Sequence, residues 1–263
     1  MIDVHAHLCY ESLAAEKEKV ALECEKSMRA VIVGTARYDE CVCALDLCSR
    51  HKNLFPTLGY HPAEGGTGID GIIELARKHR KEIVGIGEVG LDYHRVKDAA
   101  ARNAQRAVFS DFIALAEELA KPLVVHSWDA EEECFDMVKG AGVPVVFHCY
   151  SGGRELAQRI ISRGFVISLS THVLSSKDHR KLAKDVPLSQ MVLETDAPFL
   201  SPYSYLKAKG EEHLLKQGFD PQKNYPWNVW FSERKIAEIK GTSVEEVDEI
   251  SSENAVSIFG LEL

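Results

Sequence analysis

The chain has 263 residues, of which 45% are hydrophobic, and a formal charge of −9. Its length fits one large α/β domain or two small ones, and it is too acidic for a broad basic surface that grips nucleic acid. A nucleic-acid substrate is still allowed, because divalent ions in a cleft would add positive charge that the formal count omits. No apolar run reaches membrane-spanning length, and Met1-Ile2-Asp3-Val4-His5 has no basic stretch leading into an apolar one, so no secretory leader is expected. Seven scattered cysteines without a CxxC pair read as reduced thiols of a cytoplasmic protein.

Apolar runs rich in β-branched residues recur at 2–4, 30–33, 54–58, 83–86, 123–125, 143–147, 165–169 and 191–193. Most are continuous rather than alternating, as in parallel strands buried on both faces. Helical patterns fall between them. The first is amphipathic over 13–28, followed by 40–50 with Val42, Leu45 and Leu47, and by 69–79. The longest covers 99–120, with Val108, Phe112, Leu115 and Leu119 at helical spacing, and ends before Pro122. Others cover 131–139, 154–163 and a short 177–184. Eight strand–helix alternations predict a TIM (β/α)8 barrel in a single domain over 1–263, with the site at the C-terminal ends of the strands. A doubly wound open sheet is the alternative, but no glycine-rich phosphate fingerprint follows the first strand. Residues 198–226 form an irregular stretch of about 30 residues, a length that in a compact domain usually carries function. Helices over 231–240 and 244–259 close the chain, the last capped by Thr242 or Ser243.

Metal-ligand residue types stand where these runs end. His5 and His7 are separated by one residue, so in an extended chain both imidazoles point to the same side. Glu88 follows the fourth run, with Asp92 just beyond it. His126 and His148 end the fifth and sixth runs, and Asp196 follows the eighth. In a closed barrel the eighth strand neighbours the first, which puts Asp196 beside His5 and His7. Glu88 lies beside the fifth strand, where its carboxylate can bridge two ions. Imidazoles suit zinc, and carboxylates extend the choice to manganese or magnesium.

Several stretches resemble the TatD family of metal-dependent deoxyribonucleases, among the amidohydrolase-like metallohydrolase barrels. They are Asp3-Val4-His5-Ala6-His7, Leu58-Gly59-Tyr60-His61-Pro62, Gly87-Glu88-Val89-Gly90-Leu91-Asp92-Tyr93, Val125-His126-Ser127-Trp128-Asp129-Ala130, Phe147-His148-Cys149-Tyr150-Ser151-Gly152 and Leu193-Glu194-Thr195-Asp196-Ala197-Pro198. With Asn254 and Phe259-Gly260, the likeness spans nearly the whole chain. It implies two divalent ions, one held by His5, His7, Glu88 and Asp196 and the other by Glu88, His126 and His148. Trp128 stands where the family commonly has Arg, which removes a phosphate contact or exchanges it for base stacking. Lys223-Asn224-Tyr225-Pro226 replaces the family's usual Arg-Asn-Glu-Pro.

The expected activity is hydrolysis of DNA phosphodiesters, as an exonuclease on single-stranded ends, with DNA as the partner and no membrane or obligate protein partner. Two ions would activate water, and Asp196 would take its proton as general base. No Ser or Cys nucleophile is required, and Cys149 reads as a structural thiol. His61, Asp92, Trp128 and Ser151 are candidates for substrate or ligand-orienting contacts, and the turn at 150–153 for receiving a phosphate oxygen. His51, His79, His179 and His213 read as solvated, as do Lys207, Lys209, Lys216 and Lys223 in the late stretch. The competing functions are a metallohydrolase of amides, lactones or acyl esters, including aminoacyl-tRNA esters, and a non-catalytic binding protein. Glu88, where a carbamylated lysine would mark the amide- and lactone-cleaving barrels, favours the nuclease.

Overall fold

In the computed structural model, which describes residues 1–65 and 67–263, eight parallel strands form one sheet in sequence order. They are β1 (Ile2–Ala6), β2 (Ala30–Val33), β3 (Leu54–Leu58), β4 (Gly85–Gly90), β5 (Leu123–His126), β6 (Val145–Phe147), β7 (Val166–Leu169) and β8 (Met191–Leu193). The ring closes where Ala6 bridges Ala197; the His7 amide donates to the Ala197 carbonyl at 2.6 Å, and the Asp196 amide to the His5 carbonyl at 3.0 Å. The barrel is therefore the architecture, and the open sheet is excluded.

The two-residue period of the strands sorts their side chains into two layers. Ile2, Val4, Ala30, Ile32, Val124, Val146 and Val192 pack inside the ring with Ala255 and Phe259, so the C-terminal helix plugs the end opposite the site. Val31, Val33, Val125 and Phe147 pack outward against helical residues such as Ala44, Phe109, Phe112 and Ile160. The helices are α1 (Glu11–Ala14), α2 (Lys17–Ser27), α3 (Tyr38–Arg50), α4 (Ile69–Lys78), α5 (Ala99–Leu119), α6 (Glu131–Val138), α7 (Arg154–Ser162), α8 (Lys177–Asp185), α9 (Tyr203–Lys209), α10 (Val229–Lys240) and α11 (Val244–Phe259). Asp98 caps α5 by accepting the Ala101 amide at 2.8 Å, and Ser243 rather than Thr242 caps α11, accepting the Glu246 amide at 3.1 Å. None of the described helices is long and apolar enough to cross a membrane.

Several expectations change. The helix expected over 13–28 breaks at Glu16, whose carboxylate is drawn to Lys223 at 2.8 Å and to the Tyr225 hydroxyl at 3.2 Å. The stretch after β8 contains a helix, α9, besides 3-10 turns. Cys9 and Cys43 are joined as a disulfide, not reduced thiols; the loop after β1 lies along α3 with the two Cα atoms 6.0 Å apart, within disulfide reach. His51 is buried between Glu25 at 3.0 Å and Glu18 at 3.2 Å rather than solvated.

The late stretch is pinned over the barrel mouth by Asn224. Its fully buried amide donates to the Thr195 carbonyl at 2.8 Å and accepts the Tyr225 amide at 3.0 Å and Asn228 Nδ2 at 2.9 Å. Unpaired buried polar groups cost about 1–3 kcal/mol each. Asn224→Ala is therefore expected to destabilise the protein by at least about 2 kcal/mol, lowering the midpoint of thermal unfolding. A midpoint unchanged from wild type would contradict this role.

Candidate metal centre

The strand ends meet in a cavity of about 650 Å³. Glu88 lies within β4 rather than just past it, because the strand continues through Gly87 to Gly90. It is 2% exposed. Its Oε2 lies 3.3 Å from His7 Nε2 and 3.5 Å from His5 Nε2. Its Oε1 faces the other way, 2.6 Å from His126 Nδ1, 3.4 Å from His148 Nε2 and 3.7 Å from His61 Nε2. One carboxylate thus presents an oxygen to each of two imidazole groups. Asp196 Oδ1 lies 3.4 Å from His7 Nε2 and 3.9 Å from His148 Nε2. Gly34 leaves the space that His5 occupies: a Cβ there would stand 2.6 Å from His5 Cε1.

Three donor sets result, each with its atoms within 4.8 Å of one another: His5, Glu88 and His148; His5, His7 and Asp196; His61, Asp92 and His126. The structure therefore draws His126 toward His61 and Asp92 as well as toward Glu88. Burial supports a cation. His126 Nε2 and Asp92 Oδ2 face each other at 3.3 Å without hydrogen-bond geometry, and His5 Nδ1 and His7 Nδ1 are buried without hydrogen-bond partners among the described residues. Imidazoles and carboxylates packed this closely fit a divalent ion chemically.

Electrostatics point the same way. Burial alone would raise the Glu88 carboxyl, but His148, His61 and His126 outweigh it and hold the group well below the usual range. Burial opposes charge on His148 too; Glu194 and Glu88 overcome it and lift the imidazole to about 9. His7 is raised well above its ordinary value, because Asp196 and Glu88 outweigh burial. Burial, with His126 nearby, pushes His61 down to about 3. A metal entering this site must displace protons from the raised imidazoles. Affinity is thus expected to fall as pH drops from about 9 toward 6, with protons released on binding. Metal titration in a weakly buffered pH indicator checks this, and affinity constant over that range would contradict it.

Glu194, Asp3 and Arg95, which have no role in the reading of the sequence, are also built into the site. Glu194 Oε2 lies 3.0 Å from His148 Nδ1 and accepts the Ser168 hydroxyl at 2.6 Å, orienting the imidazole as carboxylates orient metal-binding histidines. Asp3 fixes the junction of β1 and β8, accepting the His5 amide at 3.1 Å and the Thr195 amide at 3.0 Å. Their only signal was adjacency to His5 and Asp196. Asp92 accepts the Arg95 amide at 2.7 Å, which sets Arg95 on the rim as the one Lys or Arg among the described lining residues.

The other candidates divide. His61, Trp128 and Ser151 line the cavity, with the Ser151 hydroxyl donating to Glu131 at 3.3 Å. Cys149 donates to the Ser170 hydroxyl at 3.2 Å, and burial raises its thiol well above the usual range, which suits a structural role. His179, expected to be solvated, is buried in the cavity wall next to His172. Lys216 and Lys223 are tied to Glu23 and Glu16, and neither they nor Lys207 and Lys209 line the cavity. Positive backbone φ clusters here, at Asp129 (56°), Cys149 (43°), Asp196 (56°) and Leu200 (58°), where the chain turns sharply out of β5, β6 and β8. Such strain often collects at functional sites.

Comparison with known proteins agrees with this architecture. A family model described as TatD related DNase matches residues 2–260. The uncharacterized metal-dependent hydrolase MJ1582 of Methanocaldococcus jannaschii is 35% identical over 261 residues, covering 98% of this chain and 96% of that protein. Deoxyribonuclease TATDN3 of Homo sapiens is 27% identical over 274 residues, covering 98% and 94%. The crystal structure of YJJV, a TatD homolog from Escherichia coli K12, superposes with a TM-score of 0.84 at 21% identity, over 100% of this chain and 98% of that one.

Proposed function

The chain belongs to the TatD family of metal-dependent hydrolases, enzymes acting on ester bonds, and from that premise we propose that it hydrolyses DNA phosphodiesters at single-stranded ends, using two divalent ions. The observation that carries this reading is the division of Glu88, with one oxygen toward His5 and His7 and the other toward His126 and His148. His5, His7, Glu88 and Asp196 would hold one ion, and Glu88, His126 and His148 the other. Such ions lower the pKa of water and neutralise a scissile phosphate.

The chain's own groups supply the rest. Burial would raise Asp196, but His7 and His148 outweigh it and keep the carboxylate ionised, ready to take a proton from the attacking water as general base. Glu194 holds the His148 ring through Nδ1, leaving Nε2 toward Glu88. His61 and Asp92 flank His126. Cys149 is not needed as a nucleophile. A cavity at a barrel mouth admits an end or an unpaired strand more readily than a continuous duplex, and the name of the human relative supplies DNA as the substrate class.

The test is to incubate metal-stripped protein with end-labelled single-stranded DNA and RNA, adding magnesium, manganese or zinc separately. Stepwise shortening of DNA that returns with metal supports the reading. No cleavage of either polymer with any of the three ions, despite metal uptake, would overturn it and direct attention to amide, lactone and acyl-ester substrates.

A further inference from the structure

We propose that the rim of the cavity is a two-base clamp, in which Trp128 and Phe199 stack the bases on either side of the scissile phosphate, so that the substrate is taken as an unpaired dinucleotide step. The proposal rests on the phosphodiesterase reading above and adds how that site selects its substrate.

Trp128 is 38% exposed and Phe199 39%, and both line the cavity. Exposed aromatic side chains lining one cleft are unfavourable in water unless a ligand covers them. Their placement is built. The Trp128 indole lies on the His94 imidazole, with centroids 3.9 Å apart and planes 2° from parallel. His94 Nδ1 is in turn 3.0 Å from Asp129 Oδ2, so the indole has a fixed backing. Phe199 is braced edge-on by Tyr10 at 5.1 Å and by His7 at 6.0 Å. Trp128 follows β5, and Phe199 follows β8 at its seam with β1. β5 and β8 are three strands apart in the ring, so the two rings rise from different parts of the mouth of a cavity that Glu88, His148 and Asp196 also line.

Charge argues against a site that tracks a long backbone. Arg95 is the one Lys or Arg among the described lining residues, and its guanidinium lies 5.5 Å from the Trp128 ring centre, placed for a phosphate next to a base stacked on the indole. Proteins that hold single strands combine a basic groove with aromatic platforms. Here the groove is nearly absent and the platforms remain, so stacking supplies most of the recognition beyond the scissile phosphate itself. A paired end would keep its bases occupied by their own neighbours and could not open onto both rings.

The experiment compares kcat/KM of the metal-reconstituted enzyme on thymidylyl-thymidine, on the same compound with either the 5′-side or the 3′-side base replaced by hydrogen, and on methyl p-nitrophenyl phosphate, a diester without bases. Removal of each base is expected to lower kcat/KM roughly 5- to 150-fold. Trp128→Ala should erase the discrimination against loss of one base and Phe199→Ala that against loss of the other, while Trp128→Phe, which keeps a π face, retains part of it. A general disturbance of folding would lower all four substrates together and leave their ratios intact, which would overturn the clamp. So would wild-type cleavage of methyl p-nitrophenyl phosphate combined with indifference to both bases, and that result would leave the phosphodiesterase reading standing. Failure to cleave any of the four with magnesium, manganese or zinc would sink the phosphodiesterase reading itself, and the clamp with it.

Discussion

Glu88→Gln is expected to lower kcat/KM by about a thousandfold or more, since ions of this kind contribute several kcal/mol and each tenfold in rate is 1.36 kcal/mol. Gln keeps the volume, so the barrel remains packed, but it removes the carboxylate whose two oxygens face the two imidazole groups. Bound metal should fall with activity. In the metal-free protein the same change has a stability signature. Glu88 has a depressed pKa, so its contribution is present above about 4.5 and is lost as pH falls. His148 has a raised pKa, so its contribution is fully present below about 6.5 and is lost as pH rises through about 9. Their attraction is therefore greatest between about pH 4.5 and 6.5, and Glu88→Gln should destabilise the metal-free protein most in that window. Denaturant unfolding at several pH values reads this directly. Equal stability of the two proteins at pH 5.5, or activity within tenfold of wild type, would contradict the assignment.

Asp196→Asn should lower kcat by about 10²- to 10⁴-fold, the usual contribution of a positioned general base. The backbone at this position is tied to His5 at 3.0 Å and does not depend on the side chain, so the seam between β1 and β8 stays closed. Asp196 faces the His5–His7 side of the site and not His126. Its loss should therefore spare more of the bound metal than the loss of Glu88. Rates measured with metal in excess separate the proton-transfer role from simple depletion of metal. A kcat within tenfold of wild type under those conditions would remove Asp196 from the chemistry.

The barrel was legible because parallel strands covered on both faces must be apolar along their length, and eight such runs can be counted. Its seam was not written in any one residue, since it is made by backbone groups of residues 5–7 and 196–197. The convergence of His5, His7, His126, His148 and Asp196 followed from their position at strand ends. Glu88 was assigned to a strand end rather than to the strand itself, because Gly85, Gly87 and Gly90 weaken the apolar signal of the strand that holds it. The close pairing of His126 with His61 and Asp92 depends on side-chain direction, which spacing does not give. His94 was invisible because an exposed histidine carries no pattern until the indole it backs is seen. Cys9 and Cys43, 34 residues apart, meet only because a loop crosses a helix. Glu16 interrupts a helical pattern for the same kind of reason: its partners, Lys223 and Tyr225, lie across the fold.

The most direct measurement is a crystal structure of the protein with manganese or zinc, with the ions located by anomalous scattering. Two ions are expected to flank Glu88, one contacting His5, His7 and Asp196 and the other contacting His126 and His148. A single ion held by His61, Asp92 and His126, with Glu88 bound to no metal, would contradict it.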